Sequence, residues 1–297
     1  MWSWLLILYC IYVPIFMFLW IIEICIIIFH IREFQSSYYF FFILCGIVSL
    51  ISEVVINIGT RLPLFPEINA FYLGWTGTFP MLLYACGHFF GAFHEFNNIF
   101  TAINRATAII TPNSHDSIWK YGIPISCVLM FLAGASGSWH LFDTPTYFVP
   151  ISINGSNYII MAADDSKHPE VSNALNGVIV SIVSPCISVS LYLTAICFLR
   201  KKWKLKIIRT EASLMLLGIS SMFLCLPITF QQLHFVVNIK KLDKEGALAL
   251  FQMLPWLFDL RFLSPTVLIL VTDSNMRGKF KRLFTFWKEK DVLSSNQ

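Results

Sequence analysis

The sequence is poor in charge. Asp, Glu, Lys and Arg make up 13% of its 297 residues, whereas a soluble domain carries about 25% because its surface must face water. A chain this poor in charge cannot clothe a soluble globule of its size. It also lacks the usual marks of several other classes. Its eight cysteines all fall inside apolar runs, so they form no disulfide framework and no CxxC metal site. No HExxH is present, and His88 and His94 are six apart rather than on one helix face, which removes the zinc-hydrolase pattern. No repeat of solenoid period, low-complexity linker or soluble domain interrupts the chain. The first residues lack a basic n-region and a small-residue cleavage site, and their apolar run exceeds a signal peptide's. They are expected to be a retained first span.

What is present is apolar. Hydrophobic residues make up 57% of the chain, 28 of them Phe, and the mean hydropathy is +0.69. Runs of about twenty apolar residues span a bilayer as helices. Seven are predicted, at about 5–29, 38–58, 76–102, 121–142, 175–199, 211–236 and 247–271, followed by a tail at 272–297. The expected fold is an all-α membrane protein, a seven-transmembrane helix bundle that forms one domain over 1–297. Orientation follows from charge. With the N-terminus outside, fifteen of the 21 Lys and Arg fall in inner segments and five in outer connections, a positive-inside bias that predicts N-out, C-in. The sequon at Asn154 then lies outside, where glycosylation requires it. Met276, Phe280, Leu283, Phe284 and Trp287 recur at helical spacing among Lys279, Lys281, Arg282 and Lys288. This predicts a short amphipathic helix after the last span. With the 200–206 cluster RKKWKLK, it would face an anionic inner leaflet. Nothing in the pattern suggests nucleic-acid binding.

A charge at mid-bilayer costs about 2.5–3.5 kcal/mol, so embedded ionisable groups turn to the bundle interior. Glu53, His88, His234 and Asp259 are read as a polar ligand pocket in the outer half, the alternative being structural bonds between helices. Asp259 and Arg261, two apart, point to different sides of one helix, so each is expected to pair with another helix. Prolines inside spans, among them Pro185, Pro227 and Pro265, remove backbone hydrogen bonds. They either serve as hinges or reflect the general frequency of proline in membrane helices. Gly134-Ala135-Ser136-Gly137 copies the GxSG of rhomboid proteases, with His234 the available base. The glycine that should follow that histidine is missing, and such small-residue runs more often pack helices. No catalytic residue, metal or cofactor is therefore expected. A transporter's internal duplication and a channel's filter motif are also missing, though a ligand-gated channel stays as an alternative.

Asn104-Arg105 stands where span three leaves the membrane, followed by ATAIITPNSHDSIWK. The last span ends in SPTVLILVTDSNMR. On these stretches the chain resembles G-protein-coupled receptors, and more narrowly the nematode serpentine chemoreceptors of class gamma. Under that resemblance Arg105 matches the arginine of the DRY motif, with Asn104 in place of its acid. Pro265 matches the proline of NPxxY, with Ser264 and Leu268 replacing its asparagine and tyrosine. Pro227 and Pro185 match the helix-six and helix-five prolines. The usual disulfide to the second outer loop has no cysteine at either end. The resemblance implies a chemosensory receptor, active in chemotaxis and sensory perception, that binds an external small molecule and signals to a heterotrimeric G protein. Arg105 and Asn104 would be the coupling residues. It also implies a plasma-membrane, multi-pass location in the cilium of a sensory neuron.

Overall fold

The first helix, α1 (Ser3–Phe29), is 27 residues long, about 40 Å at 1.5 Å per residue and enough to cross a hydrocarbon core of about 30 Å. The computed structural model describes residues 3–153, 156–164, 166, 168, 173–201, 208–238 and 244–283. After α1 come α2 (Ser37–Ile56), the short α3 (Asn69–Leu73), α4 (Thr78–Ile110), α5 (His115–Ser138), strands β1 (Thr146–Ile153) and β2 (Ser156–Ala163), then α6 (Asn173–Lys201), α7 (Ile208–Asn238) and α8 (Lys244–Thr272). The bundle's ends are called outer and inner after the charge asymmetry.

Six helices among the described residues are long and apolar enough to cross a membrane by composition, in α1, α2, α5, α6, α7 and α8. The remaining long helix, α4, has 33 residues and dilutes its apolar run with His88, His94, Glu95, Asn97, Asn98, Asn104 and Arg105. It packs on α2, α5, α6 and α7, so these groups meet protein rather than lipid. With α4 the bundle has seven membrane helices. Helix α1 lies against α2 and α8, and α8 against α7, which closes the bundle. Its flanks carry Phe18, Val128, Phe131, Phe223 and Phe230, all exposed. Such an apolar surface is a liability in water and the required one in lipid.

Trp20 is the wedge between α1, α2 and α8. It is wholly buried, its Nε1 donates to the Phe262 carbonyl at 2.9 Å, and its ring lies 4.8 Å from that of Phe42. Gly46 makes room for it, since a Cβ there would stand 2.6 Å from Trp20 Cε3. Gly46→Ala is expected to push the indole off Phe262 and lower stability by about 1–3 kcal/mol. Thermal unfolding of the purified protein, read by tryptophan fluorescence, checks this.

Two features depart from a purely helical reading. The outer connection between α5 and α6 contains the antiparallel pair β1–β2, in register from Thr146↔Ala163 to Ile153↔Ser156. Its segments, TYFVPISI and SNYIIMAA, are rich in β-branched and aromatic residues. A hairpin too small to fold alone is stabilised by docking. Phe148 and Ile159 are buried with Tyr72 and Leu83 at the outer ends of α3 and α4. Second, α2 runs on past Ile56 as a π-turn, Asn57–Arg61, and a 3-10 turn, Leu62–Leu64, so Arg61 belongs to the helix rather than to an aqueous loop.

At the inner end Asp273 separates α8 from a helical stretch at 274–283. Its Oδ1 accepts from the Asn275 and Met276 amides at 2.8 and 3.3 Å, an N-cap. Its Oδ2 accepts from the Tyr39 hydroxyl at 2.6 Å. Met276 is wholly buried. Arg277 caps α8 by donating to the Leu270 and Val271 carbonyls at 3.0 and 2.7 Å. Lys279 pairs with Glu33 of the α1–α2 connection, and that hydrogen bond holds the Glu33 carboxyl below the usual carboxylate range. The described part of the tail, 274–283, therefore lies along the inner face. Phe284, Trp287, Lys288, the cluster at 202–207 and Asn154 lie outside the described residues.

Candidate functional site

Three buried polar networks run along the bundle, one at each end and one between. The outer network joins α1, α2 and α8. Glu53, Asn57 and Arg61 are spaced by four, so they share one face of α2 and its extension. Arg61 Nη2 reaches Asp259 Oδ1 at 2.6 Å and the Pro255 carbonyl at 3.0 Å. Its Nη1 stands 3.6 Å from Glu53 Oε1 and donates to Asn57 Oδ1 at 3.3 Å. The guanidinium lies 3.8 Å from the centre of the Tyr9 ring and 5.9 Å from that of Trp256, a cation–π arrangement. The Tyr9 hydroxyl donates to Asn57 and the Tyr12 hydroxyl to Asp259. Glu53, Arg61 and Asp259 are all buried.

Of the four residues expected to form the outer pocket, Glu53 and Asp259 thus meet through Arg61. His88 lies on α4 against Tyr84, with ring centres 4.8 Å apart. His234 lies exposed on α7. Arg61 escaped sequence reasoning because it follows the apolar run and counts as a loop cation. Its spacing from Glu53 and Asn57 was the available signal.

The middle network joins α4 and α8. Arg261 Nη2 pairs with Glu95 Oε1 at 2.8 Å and donates to the Gly91 carbonyl at 3.1 Å, while Nε stands 3.4 Å from His94 Nδ1. Asp259 and Arg261 do pair with different helices, α2 and α4, as their two-residue spacing requires.

The inner network holds Arg105, which is wholly buried. Its Nη2 donates to Ser36 Oγ at 3.1 Å. Its Nε donates to Asn104 Oδ1 at 3.1 Å, and its guanidinium lies 4.6 Å from the centre of the Tyr38 ring. Asn104 in turn donates to Ser37 Oγ, and His115 Nε2 stands 3.2 Å from that same oxygen. Ser36 is the N-cap of α2, so among the described contacts α4 is tied to the first turn of α2 through the neutral groups Ser36, Ser37 and Tyr38.

The prolines fall in α6, α7 and α8. Pro185 frees the Ser181 carbonyl, which Thr229 of α7 satisfies at 3.1 Å, as a membrane helix requires of its neighbours. Pro265 borders a cavity of about 40 Å³ together with Tyr38, Asn97, Tyr192, Gly218 and Ser221. Pro227 lies inside α7. The Ser136 hydroxyl is spent within α5, donating to the Ala133 carbonyl at 3.0 Å. Among the described residues no group of three His, Cys, Asp or Glu is placed to hold a metal.

Seven membrane helices enclose charged networks from end to end, with a capped helix on the inner face, the architecture of a multi-pass membrane protein. The family model described as Srg family chemoreceptor matches residues 6–280, and the chain belongs to that family of chemosensory receptors. A search of curated proteins gives no match.

Proposed function

We propose that the receptor binds an external small molecule in the outer half of the bundle, at the network of Glu53, Arg61 and Asp259. Binding shifts a two-state helix arrangement whose inner mouth then engages a heterotrimeric G protein through Arg105. The observation that carries this reading is the burial of Arg105 against Ser36, Asn104 and Tyr38. A cation withdrawn onto the cap of α2 is unavailable to a partner until α2 and α4 part. Helix α2 carries Ser36 and Tyr38 at its inner end and Glu53 and Arg61 at its outer end. Movement at one end is therefore transmitted to the other. A ligand acts by binding one arrangement better than the other. In this reading the N-terminus is outside and the basic inner face meets anionic lipid. The protein acts in the plasma membrane of a sensory cilium, as a signal transducer and not as an enzyme.

Arg105→Ala is expected to abolish second-messenger signalling while surface expression stays at the wild-type level. Ser36→Ala removes one of the acceptors of Arg105, a bond to a charged donor worth about 1.5–3 kcal/mol, and should raise basal signalling on the order of tenfold. Unchanged signalling in Arg105→Ala would refute the coupling role.

A further inference from the structure

We infer that the outer network is a cation site already filled by the receptor's own Arg61, and that the external ligand is an organic cation, an ammonium or amidinium, that displaces it. This rests on the outer site proposed above and adds its chemistry.

The charges do not balance. Two carboxyls, Glu53 and Asp259, face one guanidinium, and all three are buried. Asp259 takes the close contact with Arg61, 2.6 Å, and also the Tyr12 hydroxyl. Glu53 is left with Arg61 Nη1 at 3.6 Å and Asn57 Nδ2 at 3.4 Å, and its Oε2 has no partner. A buried carboxylate oxygen without a donor is costly and marks a donor that Arg61 leaves unsupplied and that a ligand cation in its place could supply. The rings of Tyr9 and Trp256 complete the surroundings of a cation site. One ring already lies 3.8 Å from a guanidinium carbon. The room for a ligand's charged head is the room the Arg61 head occupies.

The segment that carries Arg61 can yield. It ends a π-turn, Asn57–Arg61, whose extra residue gives the helix a second register. Return to the α register would rotate Arg61 by about 100° about the axis and withdraw its head from Asp259. The same turn touches β2 of the hairpin and α8, and Gly59 lies under Met161, whose Cε would stand 3.3 Å from a Cβ there. Exchange of the internal cation for an external one would therefore move the hairpin and the outer end of α2 together.

The full-length receptor in lipid nanodiscs tests this with three isosteric probes: benzamidinium, neutral benzamide and benzoate. Benzamidinium alone should raise the melting temperature. Glu53→Gln, which keeps the Arg61–Asp259 pair, should abolish that rise. Arg61→Gln, which removes the competitor, should tighten benzamidinium binding about tenfold or more. If Arg61→Gln does not fold, Glu53→Gln decides by itself. A rise with benzoate in place of benzamidinium, or no rise with any probe, overturns the cation assignment. So does a benzamidinium effect that persists in Glu53→Gln. A benzoate response that is lost in Arg61→Gln leaves the outer site standing with the opposite ligand charge. If an agonist of any charge signals undiminished in a Glu53→Gln/Asp259→Asn receptor, the outer site itself is refuted.

Discussion

Arg261→Met is expected to lower the stability of the bundle by about 3–5 kcal/mol, the loss seen when one partner of a buried ion pair is removed. Arg261 stands 2.8 Å from Glu95, with both side chains almost fully shielded. Methionine keeps the length of the arginine stem but none of its donors. Glu95 would then keep a buried carboxyl whose Oε2 already lacks a partner, and the Gly91 carbonyl would lose the donor at 3.1 Å. The cost falls on the contact between α4 and α8, so reduced surface delivery should accompany a lower melting temperature. Glu95→Leu/Arg261→Met should regain most of the loss, because a buried pair replaced on both sides by apolar groups is close to neutral. A single variant that melts like the wild type would show that the pair carries no stability.

Gly218→Ala is expected to be the most disruptive methyl addition in the inner half. A Cβ at 218 would stand 2.0 Å from the Tyr192 hydroxyl oxygen and 2.4 Å from its Cζ. Tyr192 cannot swing clear easily. It is 2% exposed and packed among Ala102, Ala106, Met215 and Met222, and the cavity beside it holds about 40 Å³, far less than a phenol ring. Helices α6 and α7 must separate instead, at about 1–3 kcal/mol or more. The melting temperature should fall, and Gly218→Ala/Tyr192→Leu should recover much of the loss because the clash is with this one ring. Equal melting of Gly218→Ala and wild type would refute the close approach.

The membrane class was legible because lipid leaves few choices. A backbone with no water to bond must satisfy itself as a helix, so the length of an apolar run translates directly into a span. The same logic placed Asp259 and Arg261 on different sides of α8 without any knowledge of their partners. Helix α4 shows where composition weakens as a guide. It lacks an uninterrupted apolar run because it packs on four other helices, and only its place among them accounts for Glu95 and Arg105. The hairpin was hidden for a related reason. Its alternation is short, and its stability comes from Tyr72 and Leu83, distant in sequence.

The outer network shows the division most clearly. Glu53 and Asp259 could be picked from the chain as embedded acids, since a charge in an apolar run is conspicuous. The chain alone could not say that Arg61 joins them, that His234 faces outward, or that Arg105 folds back onto Ser36. Those outcomes depend on the rotation of each helix about its axis and on a π-turn that resets the rotation of α2 near its end. An apolar run determines that a helix crosses the membrane, because burial in lipid needs only length and hydrophobicity. Which residues meet across helices was decided by tertiary packing, because side chains up to 247 positions apart pair only when helix rotation and depth agree.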